Sequence, residues 1–109
     1  MKSGPLPPPL AGIKVLDLSA VYSGPMAAAL LADQGADVIK VESPGGDICR
    51  RIGPAKGDIS GTFVAMNRGK RSIVLDLKSA EGKAVLRDLI ARTDVLMENF
   101  RPGVLDRLG

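Results

Sequence analysis

Residues 10–42 read LAGIKVLDLSAVYSGPMAAALLADQGADVIKVE, and the order of patterns within them decides the fold class. Residues 13–18 (IKVLDL) form a short, mostly apolar run after Gly12, of the length expected for a buried strand. From Gly24 the stretch GPMAAALLADQG puts Pro25 at the favoured first helical position and Gly35 just past the helix end. Residues 26–31 are apolar on nearly every side, which predicts a helix buried rather than laid on a wet surface. Residues 37–41 (DVIKV) then return to a strand pattern. Strand, helix and strand in succession predict a parallel crossover unit.

The same alternation continues outward. Residues 43–60 hold proline, glycine and charge with no periodicity, a loop long enough to suggest function or mobility. Residues 61–67 suggest a short helix, and residues 72–77 (SIVLDL) a third strand. Ser79 is a plausible N-cap for SAEGKAVLRDLIART, with Val85, Leu86, Leu89 and Ile90 on one face and Lys83, Arg87 and Asp88 turned outward. Residues 94–97 (DVLM) make a fourth strand, and Pro102 and Gly103 introduce a last helical turn, VLDRLG. The expected fold is α/β, a Rossmann-like parallel sheet of about four strands with flanking helices. A parallel sheet needs cover on both faces, and only two substantial helices are in view. The core is therefore expected to be incomplete, with the missing cover supplied by further sequence or by another chain. Residues 1–10, with four prolines, read as a disordered polyproline-like tail, and residues 11–109 as one domain.

Composition narrows the chemistry. The chain has no histidine and one cysteine, Cys49, which excludes an internal disulfide, a metal cluster and a Ser-His-Asp triad. A lone cysteine fits a reducing cytoplasm, and no apolar run approaches a membrane span or a secretory h-region. Residues 43–71 hold six basic side chains (Arg50, Arg51, Lys56, Arg68, Lys70, Arg71) against Asp47 and Asp58, so the positive excess lies there. That segment reads either as a site for an anionic ligand or as a solvated basic loop.

The familiar nucleotide loops are missing. After the first strand stands SAVYSGP, with Gly24 alone where a G-x-G-x-x-G turn needs three glycines. Neither Gly69-Lys70-Arg71 nor Gly82-Lys83-Ala84 completes a Walker A loop. The basic segment lacks interleaved aromatics for stacking bases, so nucleic acid is not an expected partner.

Beyond the opening βαβ stretch, two segments are distinctive: NRGKRSIVLDLKSAEGKAVL at residues 67–86 and DVLMENFRPGVLDRLG at residues 94–109. Together they resemble the class III CoA-transferases of the CaiB/BaiF type, a family that includes formyl-CoA transferase, carnitine CoA-transferase and 2-methylacyl-CoA racemase. The resemblance runs from about residue 10 to residue 109 and matches the N-terminal portion of that family. It implies that coenzyme A or an acyl-CoA is the ligand, with no tightly bound cofactor. Carried over position by position, the implied contacts are Val21 and Tyr22, Leu75 and Lys78, Asn99 and Phe100, and Arg107. Lys78 and Arg107 would meet phosphates, Leu75 and Phe100 would wall the adenine or pantetheine, and Asn99 would hydrogen-bond.

Each position also has a plain structural reading. Lys78 is a solvated residue after a strand, Phe100 a core aromatic, and Arg107 a surface partner of Asp106 or Asp94. Asn67, Arg68 and Lys70 cap the turn before the third strand, and Cys49 is incidental. The family's aspartate nucleophile and the racemase acid and base lie beyond the segment matched here, so no residue of this chain inherits the catalytic role. Alone, the chain is expected to be inactive as a transferase. Relatives form interlocked dimers, which implies self-association here. Formyl-CoA transferases carry a basic residue soon after the glutamate of the second strand, where Ser43 and Pro44 follow Glu42 here, and some transferases a glutamine after the first strand, where Tyr22 stands. Both departures leave the acyl substrate open, and the sequence leaves transferase and racemase as alternatives. The competing reading is a free-standing CoA- or nucleotide-binding module.

Overall fold

The computed structural model describes residues 4–57 and 59–109. Four strands form one all-parallel sheet: β1 (Lys14–Asp17), β2 (Asp37–Glu42), β5 (Arg71–Val74) and β6 (Val95–Met97), in the order β5-β2-β1-β6. A minor antiparallel pair, β3 (Ala55–Lys56) with β4 (Ile59–Ser60), lies in the long loop. The helices are α1 (Ser23–Asp33), α2 (Gly61–Asn67), α3 (Ala80–Ala91) and α4 (Val104–Leu108). All four expected strands and the expected α/β class are present.

Alternation along the strands builds two cores, one on each face of the sheet. Leu16, Leu18, Val41 and Leu75 pack with Leu86 of α3, and Leu89 and Phe100 close against them. On the opposite face Val15 and Val38 pack with Ala28 of α1 and with Ala36. Leu10 packs against this second cluster, and its amide donates to the Gln34 carbonyl at 2.9 Å.

Two glycines let helices approach the strand ends. A Cβ on Gly24 would overlap the side chain of Ser19, and one on Gly82 would overlap the Asp76 carbonyl. Ser79 caps α3 as expected, its Oγ accepting from the Gly82 amide at 3.0 Å. Gly35 follows α1 with φ +100°, the left-handed geometry that ends helices.

Three local expectations are corrected. Helix α1 begins at Ser23, so Pro25 is its third residue and not its first. Its apolar circumference is only partly buried: Ala28 and Ala29 are covered, whereas Met26 and Leu30 stand exposed. In the α3 stripe Leu86 is buried and Leu89 half-buried, but Val85 and Ile90 are exposed. With Val74 of β5 and Val95 and Leu96 of β6 also exposed, the apolar surface outruns the cover these helices provide. This is the shortfall expected of a parallel sheet with two substantial helices.

Candidate functional site

Parallel strands deliver their C-terminal ends to one edge, and the polar residues of this chain gather there. In the β1–β2 register Asp17 lies opposite Lys40, and both are buried. They are not each other's ion-pair partners. Lys70 reaches Asp17 Oδ2 at 2.7 Å, and Lys40 reaches Asp47 Oδ2 at 2.8 Å, with all four side chains 1% exposed or less. Buried charges are tolerated only when their hydrogen-bonding capacity is filled. Lys70 Nζ uses three donors, on Asp17, the Pro25 carbonyl (2.9 Å) and Asn67 Oδ1 (2.8 Å). Burial pushes the Lys70 ammonium below its ordinary pKa, against the opposing pull of Asp17.

The loop after β2 is folded onto the turn after β1 by Asp47. Its Oδ1 accepts from the amides of Val21 (3.2 Å) and Cys49 (3.0 Å), while its own amide donates to Glu42 Oε1 at 2.9 Å. Val21 has φ +73°, the one non-glycine residue with positive φ among the described residues, and a β-branched one. The fully buried Cys49, in the 3₁₀ turn Ile48–Arg51, donates its thiol to the Val21 carbonyl at 2.9 Å. Burial, aided by Asp47, raises the thiol pKa, so Cys49 is a packed hydrogen-bond donor rather than a ready thiolate. Arg50 grips Glu42 through Nε (2.8 Å) and Nη2 (2.7 Å) and stacks 3.8 Å over the Phe63 ring. The Arg50 bonds, with help from Ser72 and the Asp47 amide, hold Glu42 down to about 2.

These pairs decide the fate of the basic segment. Arg50, Arg68, Lys70 and Arg71 are matched to Glu42, Asp33, Asp17 and Asp37, and Arg51 donates to the Gly45 carbonyl. The charge excess near residues 43–71 is thus largely matched by carboxylates, in the interior for Lys70, part-buried for Arg50, and at the exposed surface for Arg68 and Arg71. Lys70 does more than cap a turn.

Beside this network a cavity of about 560 Å³ opens at the C-terminal ends of β1, β2 and β5. Leu75, Leu77, Phe100 and Val104 supply apolar wall, the loop after β2 forms one side, and exposed Lys78 stands at the rim. Of the residues expected to bind, Leu75, Lys78 and Phe100 line it. Val21, Tyr22, Asn99 and Arg107 lie outside its lining. Phe100 is both wall and core, since it packs against the Leu16–Leu75 cluster. Asn99 spends its carboxamide on the backbone of Ala20. Among the described residues neither Lys78 nor Arg107 joins an ion pair, and Asp94 accepts instead from the Lys14 amide at 2.8 Å.

The pairing of Lys40 with Asp47 and of Asp17 with Lys70 was not read from the sequence. A signal existed: a lysine inside DVIKV, on a central strand of a parallel sheet, has no wet face and requires a buried carboxylate. Among the described residues no helix is long and apolar enough to cross a membrane, and no group of three or more His, Cys, Asp or Glu is placed to hold a metal.

Residues 10–109 match the family model for CoA-transferase family III. An acetyl-CoA:oxalate CoA-transferase from Acetobacter aceti is 50% identical over 102 residues, 93% of this chain and 26% of that protein. A formyl-CoA:oxalate CoA-transferase from Bradyrhizobium diazoefficiens is 53% identical over 102 residues, covering 92% of this chain and 24% of its own length. The crystal structure of a CAIB/BAIF family protein from Brucella suis superposes with a TM-score of 0.89 at 44% identity, over 94% of this chain and 29% of that one. The chain spans about a quarter of the length of the curated relatives it matches.

Proposed function

Since this chain belongs to CoA-transferase family III, we propose that its cavity binds coenzyme A or an acyl-CoA, as the CoA-holding part of an enzyme that moves CoA between carboxylic acids. The observation that carries this reading is the cavity itself, apolar along Leu75, Leu77, Phe100 and Val104, with exposed Lys78 at its rim. Its volume of about 560 Å³ suits part of a flexible, mostly neutral pantetheine arm or an adenine. A phosphate at the rim gains a charge-assisted bond from Lys78, and exposed Arg107 on α4 is the second cation assigned to phosphate. Asn99 holds the turn carrying Val21 and Tyr22, whose contact with the ligand is part of the same reading. The transfer chemistry is assigned to no residue here. The exposed apolar residues on both edge strands support self-association of the chain, with small-molecule acids and acyl-CoA as its other partners.

Calorimetric titration with coenzyme A, with 3′-dephospho-CoA as control, tests the reading. Binding that weakens without the 3′-phosphate supports it. Loss of a charged hydrogen bond of about 1.5–3 kcal/mol predicts roughly tenfold or greater weakening for Lys78→Ala, and for Arg107→Ala. Unchanged affinity in both variants, or no binding of CoA by the wild type, counts against it.

A further inference from the structure

The Asp47 carboxylate does two jobs at once: it neutralises buried Lys40 and it holds the amide of Val21 at 3.2 Å. Val21 is the residue least suited to its backbone, a β-branched side chain at φ +73°. Such a conformation persists only where the surroundings over-determine it. Asp47 and Cys49 supply that hold from both sides of the residue, one on the Val21 N–H and the other on its carbonyl. The neighbours of these groups line the cavity: Ala20 on the turn, and Pro44, Gly46 and Ile48 on the loop. The two cavity walls are therefore joined through the carboxylate of Asp47, which is itself among the lining residues.

We infer that Asp47 is a positioning residue, which keeps Val21 in its left-handed conformation and so sets the spacing between the β1–α1 turn and the loop after β2 for ligand. The inference rests on the CoA reading for its ligand, but the pinning itself does not. Without the carboxylate, Val21 relaxes toward the extended region, Ala20 and Tyr22 move with it, and the cavity loses its shape. A glycine at position 21 adopts positive φ without strain and needs no such hold.

The test compares Lys40→Met/Asp47→Ala, which leaves no buried charge unpaired, in Val21 and in Val21→Gly backgrounds. In the Val21 background we expect at least tenfold weaker CoA binding and at least tenfold faster exchange of the residue 21 amide. In the glycine background the same pair of changes should alter CoA affinity less than threefold. Equal weakening in both backgrounds would mean a merely structural role and would overturn the inference. If the wild type binds no CoA, the CoA reading falls, and amide exchange still decides the pinning. If the double variant does not fold, wild-type exchange decides: a Val21 amide exchanging as fast as an unprotected amide overturns the inference, and a protected one supports it.

Discussion

The Asn99 carboxamide brackets the backbone of Ala20: Oδ1 accepts from the Ala20 amide at 3.0 Å and Nδ2 donates to the Ala20 carbonyl at 2.8 Å. The bracket ties the segment after β6 to the turn after β1, at the point where strand order reverses and open α/β sheets usually bind ligands. Here that crevice is latched by protein, and the cavity lies to one side, over the ends of β1, β2 and β5.

Removing the latch should loosen both segments. Two hydrogen bonds at an exposed residue are worth about 1–2 kcal/mol together. Asn99→Ala should lower Tm by roughly 4–8 °C for each kcal/mol lost. Asn99→Asp keeps the acceptor but sets a carboxylate oxygen against the Ala20 carbonyl, so it should cost at least as much. Thermal unfolding followed by circular dichroism checks both, and an unchanged Tm in Asn99→Ala would show the latch to be idle.

Burial separates two ion pairs of nearly equal length. Lys70–Asp17 is 2.7 Å long with side chains 1% and 0% exposed, whereas Arg71–Asp37 is 2.8 Å long with side chains 68% and 49% exposed. Breaking a buried pair leaves an unpaired charge and costs about 3–5 kcal/mol, while an exposed pair is worth under about 1 kcal/mol. Urea titration should show Lys70→Ala severely destabilised and Arg71→Ala close to wild type. Lys70→Met/Asp17→Asn should recover part of the loss.

Acid should weaken the fold partly through Glu42. Its folded pKa of about 2 lies below the ordinary value of 4.5. The folded state therefore favours the carboxylate, and the stabilisation is fully present above pH 4.5. It is lost as pH falls from 4.5 toward 2. After allowance for solvent screening, the contribution is roughly 1–2 kcal/mol. Glu42→Gln should flatten that part of the acid limb in urea midpoints taken from pH 3 to 7. Arg50→Ala should do the same, because the Arg50 hydrogen bonds are the main cause of the depression.

Glycine-to-alanine changes should split by position. In helix α3 alanine is intrinsically better than glycine by about 1 kcal/mol. Gly82→Ala should nonetheless destabilise by roughly 2 kcal/mol or more, since its Cβ would run into the rigid Asp76 carbonyl. Gly45→Ala, with nothing near its Cβ and no positive φ, should be close to neutral. A Gly82→Ala chain as stable as wild type would mean that α3 shifts freely on the sheet.

Element types were legible because they depend on local pattern. DVIKV and IKVLDL read as short buried strands, and Ser79 announced a helix start that the Gly82 amide confirms. Of the residues named through the family resemblance, Leu75, Lys78 and Phe100 line the cavity. Cavity contact for Val21, Tyr22, Asn99 and Arg107 does not follow from the fold. The irregular stretch 43–60 hid a 3₁₀ turn and a two-stranded pair, since neither has a periodic signature.

By itself, the sequence determined the order of strands and helices, the parallel class of the sheet, and an apolar surface larger than two helices can cover. These follow from the period of hydrophobicity, from glycine and proline positions, and from length, all properties of neighbouring residues. Only the tertiary structure decided which charges meet. Asp17 takes Lys70 across 53 positions, Arg68 takes Asp33 across 35, and Asp47 reaches back 26 to hold Val21. A basic segment that read either as an anion site or as a solvated loop became a set of ion pairs, buried at Lys70 and exposed at Arg68 and Arg71. Charge is additive along a chain, but its availability depends on which carboxylates the fold brings within hydrogen-bonding distance, and that is settled only when the strand ends come together.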